Sequence, residues 1–327
     1  MTELAGIETQ VREAAPLVEA LRAQVGLAVV GQRAMVDGLL TGLLCDGHVL
    51  LEGVPGLAKT TAVKALAAAL DLSFSRIQFT PDLLPADLIG TQVYDPRQAT
   101  FSVRKGPVFA SVVLADEINR APAKVQSALL EAMQERQVTI GQESFPLPAP
   151  FMVLATQNPI EHEGTYPLPE AQVDRFLLKI KVDYPGHDEE RAILRVGAAP
   201  FPEIRAVAGA AEVERLRGVV RSIHMEPVLE GYIVDVVQAT RDPKAAGLPD
   251  LASMVEVGAS PRASIAFAVA ARAHAFLEGR AWVGPDGVKA VGPDVLRHRI
   301  LLSYEAEAAE VTPEEVIRRI FDRVPTP

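Results

Sequence analysis

Eight residues, Gly53-Val54-Pro55-Gly56-Leu57-Ala58-Lys59-Thr60, restrict the fold of this 327-residue chain more than any other stretch. They follow a short apolar run, Gly47-His48-Val49-Leu50-Leu51-Glu52. After them, from Thr60 to Leu70, the apolar side chains Val63, Leu66, Ala67 and Leu70 recur at helical spacing. The order is strand, glycine-rich turn, helix. Such a turn aims successive backbone N–H groups at an anion, with the helix N-terminus behind them, and so cradles phosphates. The usual pattern has glycine where this chain has Ala58. Alanine keeps its N–H but disfavours positive φ, so an α-region backbone is expected at 58. Lys59 is then expected to reach the β and γ oxygens of a triphosphate, and the Thr60 hydroxyl to hold Mg²⁺.

A second motif supports the first. Ser111-Val112-Val113-Leu114-Ala115-Asp116-Glu117 is an apolar strand ending in two acids. Alone, adjacent acids mark a solvated strand end; beside Lys59-Thr60 they read as a metal carboxylate, Asp116, and a water-polarising base, Glu117. Further apolar runs at 77–79, 151–155 and 176–182 are separated by helical stretches such as 125–136. Alternation of this kind predicts a parallel, doubly wound sheet sandwiched by helices. Apolar residues Ile7, Val11, Ala14, Val18, Leu21 and Val25 predict a leading amphipathic helix. Tyr184-Pro185-Gly186 is a breaker, after which the chain reads as mostly helical. The expected organisation is a helix over 1–24, a nucleotide-binding α/β domain over 25–184 and a small all-α domain over 185–327.

Composition removes other classes. Hydrophobic residues make up 49% and charged residues 23%, too apolar a balance for disorder. Net charge is −10 with no Lys/Arg run, which disfavours nucleic acid as a partner. Cys45, the only cysteine, allows no intramolecular disulfide framework and fits a reducing compartment. The opening Met1-Thr2-Glu3 does not resemble a signal peptide, and no apolar run reaches the roughly 18 residues a membrane span needs. A cytoplasmic protein is expected.

With both motifs placed, the whole chain resembles the AAA+ ATPases and, within them, the MoxR family. Val29-Val30-Gly31-Gln32 is similar to the segment lining the adenine pocket, and Asp116-Glu117-Ile118-Asn119-Arg120-Ala121 to the family's Walker B motif. The resemblance implies a five-stranded parallel sheet with a C-terminal helical lid, and ATP with Mg²⁺ as ligands. Nucleotide contacts would come from Val30, Gln32, Gly53, Val54, Pro55, Gly56, Leu57, Ala58, Lys59, Thr60 and Thr61, and metal contacts from Thr60 and Asp116. Leu154-Ala155-Thr156-Gln157-Asn158-Pro159 matches sensor 1, giving Asn158 the orientation of water beside Glu117. Glu170-Ala171-Gln172-Val173-Asp174-Arg175-Phe176 resembles the arginine-finger segment, with Arg175 reaching a neighbouring subunit's nucleotide. Ala259-Ser260-Pro261-Arg262-Ala263 looks like sensor 2, with Arg262 on the γ-phosphate. Hairpins at 88–107 and 137–148 mark the helix-2-insert clade, which includes magnesium chelatase, and present Tyr94, Phe101 and Phe145.

The resemblance implies a hexameric ring that hydrolyses ATP to remodel or mature a protein partner, commonly one with a von Willebrand factor A domain, together with its client. Two other readings use the same core. A nucleotide-dependent assembly switch does not need the base and finger that Glu117 and Arg175 supply. A nucleic-acid motor needs the basic stripe this chain lacks. A small-molecule kinase is weaker still, because the C-terminal region reads as a lid and not an acceptor site.

Overall fold

The computed structural model describes residues 2–159, 164–197 and 202–327; Met1, within the expected 1–24 helix, lies outside the described residues. In chain order the first elements are α1 (Thr2–Ala28), α2 (Arg33–Leu44), β1 (Val49–Glu52), α3 (Lys59–Ala69), β2 (Phe74–Gln78) and α4 (Pro85–Ile89). Then come β3 (Gly90–Asp95), β4 (Thr100–Lys105), β5 (Val112–Asp116), α5 (Ala123–Glu135), β6 (Gln137–Ile140) and β7 (Glu143–Pro146). The α/β region closes with β8 (Met152–Gln157), α6 (Glu170–Val173), β9 (Leu178–Lys181) and α7 (His187–Gly197). The chain divides into two compact units, one of Leu17–Arg175 and Ile180–Glu214, the other of Met1–Pro16, Phe176–Lys179 and Arg215–Pro327.

The first unit is built on a five-stranded parallel sheet in the order β2-β5-β8-β1-β9. Its central strands β5 and β8 are buried along nearly their whole length, which is why they read as unbroken apolar runs: helices cover both faces. Register sets Gln78 opposite Asp116, Ala115 opposite Ala155 and Glu52 opposite Gln157. The carboxyl ends of four strands are therefore level, and the crevice beyond them is where open parallel sheets bind ligands. β2 runs from Phe74 to Gln78, not over the 77–79 run read from the sequence. It is an edge strand with Arg76 and Gln78 exposed, so its polar half hid it.

Both expected hairpins form, β3 with β4 and β6 with β7, each antiparallel. Gly90 enters the first at φ 103°, and a Cβ there would lie 2.3 Å from the Arg104 carbonyl oxygen, so glycine is required. Tyr94 and Phe101 pair across this hairpin with ring centroids 5.1 Å apart, both largely exposed.

The second unit contains most of α8 (Ala210–Ser222), then α9 (Pro227–Arg241), α10 (Pro261–Leu277), α11 (Pro285–Leu296), α12 (Tyr304–Ala308) and α13 (Pro313–Arg323). A ribbon of β10 (Val255–Val257) and β11 (Leu301–Leu302), too short to read from sequence, joins two of these stretches. Phe267 and Tyr232 pack on Phe321, at centroid distances of 6.4 Å and 6.5 Å. Past the end of α11, three basic residues hold backbone carbonyls of the Phe176–Lys179 segment. Arg297 Nη1 donates to Lys179 at 2.5 Å, His298 Nε2 to Phe176 at 3.1 Å, and Arg299 to Phe176 and Leu177 at 2.7 Å and 3.2 Å. Among the described residues no helix is long and apolar enough to cross a membrane.

Candidate nucleotide-binding site

The turn after β1 is tied to the sheet, with the Gly53 N–H donating to the Gln157 carbonyl at 3.3 Å. At its far end the expectation for Ala58 fails: the residue has φ 56° and ψ 19°, in the left-handed region. This residue caps the N-terminus of α3, where the chain passes from the loop into the helix. That geometry outweighs the cost of about 1–2 kcal/mol that a Cβ adds to such a backbone. Lys59 Nζ donates to the Gly53 carbonyl and, at 3.3 Å, to that of Val54. Burial pulls its pKa down, and the carboxylates of Asp116, Glu117 and Glu52 work against that shift.

Asp116 and Glu117 are fixed by their neighbours. Asp116 Oδ1 accepts the Thr156 hydroxyl at 2.6 Å, while Oδ2 accepts Arg76 Nε at 3.0 Å and Nη2 at 2.6 Å. The Thr156 oxygen also accepts the Glu117 N–H at 2.8 Å. Glu117 itself has φ 57° and ψ 52°, an uncommon backbone for a non-glycine residue that turns its side chain out of the strand line. Its carboxylate accepts from Gln78 Nε2 at 2.8 Å and pairs with Arg120 at 3.2 Å.

A cavity of about 430 Å³ at the carboxyl ends of the strands gathers these groups. Its walls include Pro55, Gly56, Leu57, Ala58, Lys59, Thr60 and Thr61 together with Asp116, Glu117 and Asn158. Asn158 is buried. Arg76, Thr156 and Gln157 also line the cavity and were missed in the sequence. No local signal marked Arg76, because its strand read as 77–79 and its place beside Asp116 comes from the pairing of β2 with β5.

The remaining candidates lie elsewhere. Val30 and Gln32 do not line the cavity; Gln32 opens α2 from a left-handed backbone and donates Nε2 to the Asp183 carbonyl at 2.9 Å. Gly53 and Val54 contribute carbonyls to Lys59 instead of surface to the cavity. Arg175 Nη1 donates to the Leu130 carbonyl on α5 at 3.1 Å, beside a second hollow of about 420 Å³ that Glu131, Gln134 and Glu135 share. Arg262 belongs to the second unit and stands exposed on the first turn of α10, its N–H accepted by the Ser260 hydroxyl at 3.1 Å.

Comparison with known proteins agrees with this geometry. The profile of the ATPase family associated with various cellular activities (AAA) matches residues 48–178, and that of the AAA lid domain residues 251–320. Chaperone MoxR1 of Mycobacterium tuberculosis is 53% identical over 305 residues, covering 93% of this chain and 81% of the relative. The chain belongs to the MoxR family of AAA+ ATPases. Protein MoxR of Methylorubrum extorquens is 36% identical, with 93% of each chain covered. A crystal structure from Cytophaga hutchinsonii superposes on this MoxR-family chain with a TM-score of 0.92 at 47% identity, covering 100% of both chains.

Proposed function

We propose that this MoxR-family chain hydrolyses ATP with Mg²⁺ and works as a ring-forming, chaperone-like motor that remodels or matures a protein partner. The observation that carries the reading is the meeting of loop amides, Lys59, Thr60, Asp116, Glu117 and Asn158 around one cavity at the carboxyl ends of the sheet. A hydroxyl and a carboxylate are hard oxygen donors of the kind Mg²⁺ takes, and their small number fits an ion held largely through phosphates and water. No group of three or more His, Cys, Asp or Glu among the described residues makes a separate metal site. When bound, the ion would neutralise charge on the β and γ oxygens.

In this proposal the loop from Gly53 to Thr61 binds the phosphates, with Thr60 and Asp116 as metal ligands and Val30 and Gln32 near the base. Glu117 takes the proton of an attacking water that Asn158 orients. Arg175 serves a neighbouring subunit and Arg262 reports the γ-phosphate to the lid. Residues 25–184 would be the nucleotide-binding domain and 185–327 the lid, with the subunits in a hexamer and a von Willebrand factor A domain protein as partner.

Glu117→Gln tests the reading. It should retain ATP binding while turnover falls to background, and should hold a partner in ATP that wild type releases. Absence of wild-type turnover at every protein concentration would sink the motor and leave the assembly switch.

A further inference from the structure

One cation in the cavity has no part in the scheme above. Arg76, on the edge strand β2, gives Asp116 Oδ2 two donors, at 3.0 Å and 2.6 Å, and gives Gln78 Oε1 another at 2.9 Å. We propose that Arg76 is a tethered counter-cation for the metal carboxylate, holding Asp116 until Mg²⁺ displaces it. The proposal rests on the reading of Asp116 as a magnesium ligand.

An ionised carboxylate has about four acceptor sites, and here three are filled, two by Arg76 and one by Thr156. Arg76 takes both sites of Oδ2 and Thr156 one of Oδ1, so a cation that binds Oδ2, or both oxygens together, displaces a donor. Thr156 is not the one to go: it is 1% exposed, and the same oxygen accepts the Glu117 N–H. Arg76 differs, with a side chain 51% exposed on the outer strand, so its guanidinium can return to water cheaply. Charge points the same way. Asp116 and Glu117 are adjacent anions, and Lys59 is bonded to carbonyls of its own loop. Arg120 serves Glu117, so Arg76 supplies the balancing charge for Asp116, and a divalent ion in the same place would repel it. Metal and guanidinium therefore exclude one another at Oδ2. The exchange makes the site weak for the bare ion and couples metal binding to the arrival of nucleotide phosphates. Arg76 acts through Asp116 and is a positioning residue.

The full chain serves for the test, with a fluorescent ADP titrated in excess Mg²⁺ and again in EDTA. The ratio of the two dissociation constants measures how strongly metal and nucleotide support each other. In Arg76→Gln this ratio should rise roughly threefold to tenfold, since a paired guanidinium on a mostly buried carboxylate exceeds an ordinary surface pair. Arg76→Lys keeps the charge and loses the paired donors, and its ratio should also rise. Thermal unfolding of nucleotide-free Arg76→Gln should shift downward, opposite in sign to the metal effect. A fall in both quantities would make Arg76 purely structural, and a wild-type ratio in both variants would likewise overturn the exchange. Asp116→Asn separates the two layers. Collapse of its ratio toward one, with Arg76 variants unchanged, defeats the exchange alone; an unchanged ratio in Asp116→Asn defeats the metal assignment and the exchange with it.

Discussion

Thr156 makes two hydrogen bonds with one hydroxyl, donating to Asp116 and accepting from the Glu117 backbone. Because β8 lies beside β5 in the sheet, that oxygen joins the two strands where the candidate chemistry sits. Thr156→Val is nearly isosteric, so it would leave a buried N–H and a carboxylate oxygen short of partners at a cost of about 1–3 kcal/mol. Turnover should fall by about 10- to 100-fold through displacement of Glu117, with a much smaller change in ATP affinity; urea unfolding and steady-state assays read the two effects. Sequence offered Thr156 only as a letter between Ala155 and Gln157. Its role is set by the register that faces it with the end of β5, which no local pattern encodes. Ala58 was legible as a departure from the usual loop but not as a left-handed residue, since the local preference of alanine yields there to the direction the loop must take.

At the scale of elements, legibility followed burial. β5 and β8 were readable because a strand covered on both faces is apolar throughout; β2 was misplaced because its outward face carries Arg76 and Gln78. The segment after α11 shows what composition cannot reveal, that three basic residues in a row face inward onto carbonyls. Burial, followed by the charge of Arg299, pushes the pKa of His298 well below 6.5, and Lys179 and Arg297 add to the shift against the Phe176 carbonyl. A depressed histidine takes up its proton later in the folded than in the unfolded chain. Stability should therefore be level above pH 6.5 and fall as pH drops from there toward the lowered folded value. His298→Gln keeps a donor for the Phe176 carbonyl and should flatten that acid limb in urea unfolding at a series of pH values.

For the whole molecule, the proposed ring has a kinetic signature. If Arg175 completes a neighbour's site, activity per subunit should climb steeply with protein concentration, and Arg175→Ala should lower the assembled rate by about 10³- to 10⁵-fold. Activity strictly proportional to protein across the assembly range would place the finger elsewhere. Within its own chain the guanidinium rests on the Leu130 carbonyl, its Nε buried without a hydrogen-bond partner. That is a weak hold that a phosphate could outbid.

The helical unit is discontinuous in the chain, taking in Phe176–Lys179 from far upstream. This decides how the protein can be dissected. A fragment cut at 215 would carry Arg299, 8% exposed, without the Phe176 and Leu177 carbonyls, Arg297 without Lys179, and His298 with no acceptor on Nε2. Arg297 keeps Asp294 and Glu314 and Arg299 keeps the Val295 carbonyl, but the lost bonds, at about 1 kcal/mol each, still remove several kcal/mol from a domain that has only about 5–15 to lose. The helical unit expressed from 215 onward should unfold in a broad, weakly cooperative transition by circular dichroism, and its autonomy would have to be restored by supplying residues 176–179 again.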